Sequence, residues 1–246
     1  NPNIKVQEEL TPVAITKLPD GKFILDMGQN MVGWISIHKL KGKKEQPVTL
    51  RFAETLNPDS TLYMANLRGA KVTDIYTPAE DGPFNWEPSF VFHGFRFVEI
   101  NGLDYQPELT NFTGKVIYDE METTGQFETS NETINQLVKN AYWGIRGNYR
   151  GMPTDCPQRD ERQGWLGDRA TGCFGEAFLF NNALLYSKWL QDIEDSQNPE
   201  GFRWSRLATG PSITTTLPGQ PLISTERRCY GTSLVTPGLS SSITPP

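Results

Sequence analysis

Hydrophobic and polar positions alternate with two different periods along this chain, and the change falls near Phe127. Before it, Lys22–Asp26, Trp34–His38, Val48–Phe52, Val72–Tyr76 and Phe95–Ile100 alternate apolar and polar residues. A period of two sends one face of a strand into a core and the other into water, so each segment predicts a short strand. Lys22–Asp26 reads as a strand before a glycine-containing turn, with Gly28, Asn30 and Gly33 as its turn residues. Clusters of Gly, Pro, Asn and Asp at 57–60 and 80–83 punctuate the strands. This spacing predicts an antiparallel β-sandwich over residues 1–118. Trp34, Trp86, Phe90, Phe95 and Phe97 are assigned to its core rather than to a sugar platform.

After Phe127 the period lengthens. Ile134, Leu137, Val138, Ala141, Tyr142 and Ile145 recur every 3.6 residues, which predicts an amphipathic helix over 130–147. Thr129 and Glu132 have capping-box spacing, and Asn131 falls where a cap is needed. Residues 148–164 read as loop, with Gly151, Pro153 and Pro157. Residues 165–197 read as helical, broken at Asn181-Asn182. Ala170, Cys173, Phe174, Ala177 and Phe178 are expected to share a face, and Leu185, Trp189 and Ile193 continue it. A helical hairpin cannot bury both of its faces, so further helices are expected to pack on it. The fold class is therefore multidomain, β then α, with a first domain over 1–118 and a helical one over 119–201.

Charge separates a third piece. The 246 residues carry a net charge of −6. From Phe202 onward there are four Arg and one acid (Glu226), a net +3, so the preceding residues carry −9. Those last 45 residues also hold 21 Ser, Thr or Pro. An acidic body is a poor partner for phosphate backbones, which sets nucleic acid aside. No apolar run approaches the ~18 residues of a membrane helix. Asn1–Val6 has no basic region leading into an apolar one, so no signal peptide is read, and compartment and oligomeric state stay open. Three Cys (156, 173, 229) are too few and too scattered for a disulfide framework or a zinc knuckle, and His38 and His93 are too far apart for a metal pair.

The chemistry concentrates in Pro153–Asp168. Asp155, Asp160, Glu161 and Asp168 stand there with Arg159, Arg162 and Trp165, between two helices. A connection needs only a few polar turn residues. Carboxylates with an aromatic wall suit a sugar ring, because carboxylates bond hydroxyls and can protonate a leaving oxygen while an indole stacks on the apolar ring face. Ion pairs that merely hold a loop together would use the same residue types.

The run Asp155-Cys156-Pro157-Gln158-Arg159-Asp160-Glu161-Arg162 followed by Gly164-Trp165 and Gly167-Asp168 resembles the signature of the bacterial α-L-rhamnosidases of glycoside hydrolase family 78. Asp26–Trp34, Arg51–Glu54, Asn66–Ala70 and His93–Glu99 resemble stretches of that family's sandwich domain, in family order. The resemblance covers most of residues 10–200 and is not read into the tail. It implies that the helical part opens an (α/α)6 barrel, here its first hairpin. It implies Glu161 as general acid, and Asp155, Arg159, Trp165 and Asp168 as binders of rhamnose. It implies inversion, which needs a second carboxylate about 6.5–9.5 Å away to activate water. In the family that base is a Glu far downstream, and no residue of this chain matches it. Acid–base hydrolysis requires neither cofactor nor metal, and the expected partner is an α-L-rhamnoside. Asp155, Asp160 and Asp168 would raise the Glu161 pKa, and Arg159 and Arg162 would lower it; sequence leaves the winner open.

On this reading the chain is an N-terminal piece of an inverting α-L-rhamnosidase with little or no activity of its own. The alternative is a non-catalytic carbohydrate-binding sandwich. Residues 202–246 are expected to be disordered, and codon choices exist whose shifted reading is family-like, which suggests a frame slip near Gly201. Apolar faces on the helices would then stay exposed.

Overall fold

The computed structural model describes residues 2–196 and 206–207. The chain runs β1 (Ile4–Leu10), β2 (Ala14–Lys17), β3 (Phe23–Gly42), β4 (Val48–Ala53), β5 (Thr73–Tyr76), β6 (Gly82–Trp86), β7 (His93–Asn101) and β8 (Phe112–Asp119). Three helices follow: α1 (Glu132–Arg146), α2 (Leu166–Leu179) and α3 (Ala183–Asp195). Gly164–Trp165 (β9) pairs with Arg206–Leu207 (β10), the one described part of the tail.

The β domain is one curled antiparallel sheet in the order β1-β8-β3-β7-β4-β5, with β2 and β6 also joined to β3. The 20-residue β3 is its spine. β3 pairs with β2 and β7 at its start, with β8 in its middle and with β6 at its end. Here the expectation of two strands and a turn fails. Gly28 and Gly33 do not reverse the chain; they let one strand bulge and continue, and the β7 register shifts between Asp26 and Met31. Gly28 has φ +72°, and the Asp26 Oδ1 accepts its N–H at 2.7 Å. Gly33 lies so close to β8 that a Cβ would sit 1.7 Å from the Lys115 carbonyl oxygen. β6 also reaches into the expected turn at 80–83: it starts at Gly82, with Pro83 opposite Lys41 near the end of β3.

Alternate residues of the strands fill one core. Phe23, Leu25, Ile35, Leu50, Phe52, Phe95, Val98 and Phe112 are all essentially inaccessible to solvent. Phe95 belongs to it as expected, and Trp86 packs against it. Phe90 does not: it is fully exposed, on a backbone with φ 59°.

The helical part has its own smaller core of Tyr149, Leu166, Cys173, Phe180, Leu185, Tyr186, Trp189 and Ile193. Asn131 caps α1, accepting from the N–H groups of Thr133 (3.0 Å) and Ile134 (3.3 Å). The Thr129–Glu132 capping box does not form; Thr129 instead bonds Asn131 and Asn135. Two expectations about the helices are corrected. Its buried face is Leu166, Cys173 and Glu176, whereas Phe174 and Phe178 face outward. On α1, Ile134 and Leu137 are exposed and Arg146 is the buried residue. Arg146 pairs with Glu8 of β1 through both guanidinium arms and stacks on Trp143 at 3.6 Å, which ties the helix end to the sheet edge. A cation there also complements the helix dipole. No helix among the described residues is long and apolar enough to cross a membrane.

Candidate functional site

The loop from Asp155 to Gln163 is closed by its own backbone. Asp155 N–H donates to the Gln163 carbonyl at 2.9 Å, and Gln163 N–H donates to Asp155 Oδ1 at 2.6 Å. Within this ring Arg159 bridges two carboxylates. Its Nη2 reaches Asp155 Oδ2 at 3.3 Å and its Nε reaches Glu161 Oε2 at 3.0 Å. The other oxygen of Glu161, Oε1, accepts the indole N–H of Trp165 at 3.0 Å. Four of the five expected site residues are thus joined by direct hydrogen bonds. Asp168 is not joined to them: it sits exposed in the first turn of α2, where its charge suits the helix N-terminus.

The loop is held from behind and from the side. Behind it, Arg169 of α2 donates to the Thr154 carbonyl at 2.6 Å and pairs with the buried Glu176. Glu176 also accepts from the hydroxyls of Tyr149 and Tyr186, and Asn182 donates to Tyr149 at 3.1 Å. Burial and the Glu176 carboxylate push the Tyr149 phenol far above its usual range, so it stays a donor. From the side, the sandwich presses against the loop. Arg68 Nη1 reaches Glu161 Oε2 at 2.9 Å, and Gly69 N–H donates to Asp160 Oδ2 at 3.1 Å. Arg162 Nη2 donates to the Phe92 carbonyl at 3.1 Å, and the Arg150 and Arg162 guanidinium carbons both lie 4.1 Å from the Phe92 ring. A Cβ at Gly94 would strike Pro157 at 2.8 Å, so this glycine sets how closely β7 and the loop approach.

The charge question left open by sequence is answered by these contacts. Burial works to raise the Glu161 carboxyl, but the Arg159 and Trp165 hydrogen bonds and the Arg68 and Arg159 charges outweigh it, leaving it below the usual carboxylate range. The Asp160 carboxylate is bonded by the Gly69 N–H. Burial raises the Cys156 thiol, and the Arg162 N–H partly offsets this. Asp155, Cys156 and Glu161 offer ligand atoms within 4.8 Å of one another. A guanidinium already occupies the space between the two carboxylates, which makes this a poor cradle for a cation. His93 is paired with Asp74 at 2.9 Å and stacked on Phe52, inside the sandwich.

Arg68, Gly69 and Phe92 were missed as loop contacts. For Arg68 and Gly69 the signal lay in the Asn66–Ala70 stretch, whose arginine and glycine the sandwich core does not require.

Comparison with known proteins adds the following. Residues 16–118 match the family model of the bacterial alpha-L-rhamnosidase concanavalin-like domain. Residues 122–222 match that of the bacterial alpha-L-rhamnosidase 6 hairpin glycosidase domain. The second match runs beyond Gly201, where the resemblance was expected to stop, and so overturns that limit. The expected frame slip and disorder fall on residues outside those described. The chain is 42% identical over 198 residues to an alpha-L-rhamnosidase of Streptomyces avermitilis, covering 80% of this chain and 19% of that one. It is 43% identical over 182 residues to one of Formosa agariphila, covering 72% and 19% respectively. A solved structure of the Streptomyces avermitilis enzyme, complexed with L-rhamnose, superposes with a TM-score of 0.81 at 40% identity, covering 87% of this chain and 20% of that one. The chain therefore spans about a fifth of the length of the curated relatives it matches.

Proposed function

This chain belongs to the bacterial α-L-rhamnosidases, and we propose on that premise that its 155–165 loop forms the general-acid side of an inverting rhamnosidase site. The observation that carries the reading is the arrangement around Glu161. A mostly buried carboxylate has one oxygen on an indole N–H and the other between two guanidiniums, beside a second carboxylate that shares one of them. That group can bond the hydroxyls of a pyranose and pass a proton to its glycosidic oxygen. Glu161 is the general acid; Asp155, Arg159 and Trp165 hold the sugar. Asp168 joins them by family resemblance.

Glu161 needs its proton when the bond to rhamnose breaks. In the empty site the guanidiniums favour the ionised form. A bound sugar that takes over an Arg159 or Arg68 contact weakens that preference and raises the protonated fraction. Asp155 does not serve as the base. Its carboxylate lies within 4.8 Å of that of Glu161, short of the separation of about 6.5–9.5 Å that inversion needs to admit a water. The base belongs to the part of the relatives that this chain does not span.

The test is a titration of the chain with L-rhamnose, followed by tryptophan fluorescence or calorimetry, beside an assay with an aryl α-L-rhamnoside. Expected are weak L-rhamnose binding, lost in Asp155→Ala and Trp165→Ala, and turnover at or near background. Rhamnose binding that survives both changes and fails when Trp34 and Trp86 are replaced would favour a binding module on the sandwich instead.

A further inference from the structure

The sandwich stretches that resemble the family give their apolar residues to the core, and several of their polar residues meet one another. Glu54 accepts from Asn30 at 3.0 Å and from Asn66 at 3.2 Å, linking the Asp26–Trp34, Arg51–Glu54 and Asn66–Ala70 stretches. Asp26 forms a two-pronged pair with Arg96 (2.8 and 2.9 Å), adding the His93–Glu99 stretch. Arg68 stands two residues after Asn66 in the third of these stretches. Arg68 has φ 56°, an unfavourable backbone for a residue with a side chain. Leu67, just before it, is anchored in the sandwich core. The strained backbone and the buried neighbour set the guanidinium direction, and it ends on Glu161 Oε2, 93 residues away in sequence.

We propose that Arg68 is a positioning residue of the candidate site: the sandwich supplies it to fix the orientation and the charge of Glu161. The sandwich is then part of the acid's machinery rather than a passive neighbour. As a device for hydrolysis this rests on the reading of Glu161 given above; as a contact it stands on its own geometry. Gly69 makes the placement double, because its N–H holds Asp160, the residue before Glu161, in the same docking. Arg68 is also the exposed member of the cluster, with 57% of its side chain accessible against 28% for Arg159. An incoming sugar can therefore displace it more easily than Arg159. The charged and titratable groups facing Glu161 are Arg68 from the sandwich, and Arg159, Asp155, Cys156 and Asp160 from its own loop.

The indole of Trp165 bonds Glu161 directly and reports its ionisation. The experiment is a pH titration of the Trp165 indole N–H resonance in the ¹⁵N-labelled 246-residue chain, assigned by its loss in Trp165→Phe. Glu161→Gln should abolish the titration. Arg68→Gln should move the midpoint to higher pH, and Arg68→Lys should return part of the way. An unmoved midpoint in a folded Arg68→Gln chain would overturn the assignment, as would a Lys variant that behaves like Gln. Addition of L-rhamnose separates the two readings. If no form responds to it while the Arg68-dependent shift persists, the rhamnoside reading fails and the positioning contact stands.

Discussion

The sandwich and the helical part are built to different degrees of closure. In the sheet, inward residues from β3, β4, β7 and β8 meet in a continuous core, and Leu25, Ile35, Phe52 and Phe95 have no measurable exposure. In the helical part, α2 and α3 close over Tyr149, Tyr186 and Trp189, but α1 turns Ile134 and Leu137 outward and α2 turns Phe174 and Phe178 outward. Among the described residues nothing covers these. The candidate site lies between the two, on a loop pinned by a closed domain on one side and by a buried polar network on the other.

The largest expected effect tests that closure. Phe52→Ala removes a ring stacked on His93 at 4.1 Å and edge-on to Phe95 at 4.8 Å. Leaving such a cavity costs about 3–5 kcal/mol. Chemical denaturation of the chain should show the loss in full and should also release the Arg68 docking. A loss under about 1 kcal/mol would mean that the sheet tolerates a void there, and the contrast between the regions would weaken.

Next comes the network behind the loop. Glu176→Ala leaves Arg169, Tyr149 and Tyr186 without their shared acceptor in a buried setting. Removing one partner of a buried charged pair costs about 3–5 kcal/mol. The structure predicts a second consequence that Phe52→Ala lacks. Arg169 would lose its orientation on Thr154, so amide exchange should quicken over 154–164 before the chain unfolds.

How much of this was legible in sequence follows from the range over which each feature is determined. Strands β4, β5 and β7 show in the alternation because their two faces meet different media. β1 does not show, since both its faces are half-exposed and it reads IKVQEEL. β3 was split because Gly28 and Gly33 signal a turn by identity alone; only the approach of β8 reveals that they serve a bulge. The loop of candidate residues was legible because its charges cluster locally. That Asp168 stands apart from the other four, and that Arg68 joins them, were not, because both depend on how elements dock. Phe174 and Phe178 share the helical period with Cys173, and period alone cannot say which side of a helix will find a partner.

Smaller effects probe single ties. Asp26→Asn breaks the two-pronged pair with Arg96, and the cost is about 1–2 kcal/mol at neutral pH. The pH dependence has a definite sign. The Arg96 hydrogen bonds hold the Asp26 carboxyl below its usual range, against burial, with the Gly28 N–H adding to the effect. A depressed carboxylate stabilises the fold above its unfolded pKa of about 3.9, and that contribution is lost as pH falls through the folded value. Wild type and variant should therefore differ most near pH 7 and converge in acid. Convergence on raising the pH would contradict the assignment. Asn131→Ala removes the α1 cap and should cost about 1 kcal/mol, read from the melting of the helical signal.

The smallest effect on stability falls on the uncovered faces, and it is the sharpest probe of the difference between the two regions. Phe178 is 78% exposed and Leu137 is 66% exposed. Neither side chain gains much from folding, so replacing either with Glu should change the unfolding free energy by no more than about 0.5 kcal/mol. Solubility should respond far more. An apolar patch left in water drives association, and a charge on it opposes that. Light scattering against concentration should show less self-association for Leu137→Glu with Phe178→Glu than for the parent chain, at equal thermal stability. The same change on the sandwich, at the buried Leu25, should prevent folding. If the helical variants instead lose several kcal/mol, the faces have partners in solution, and the helical part is as closed as the sheet.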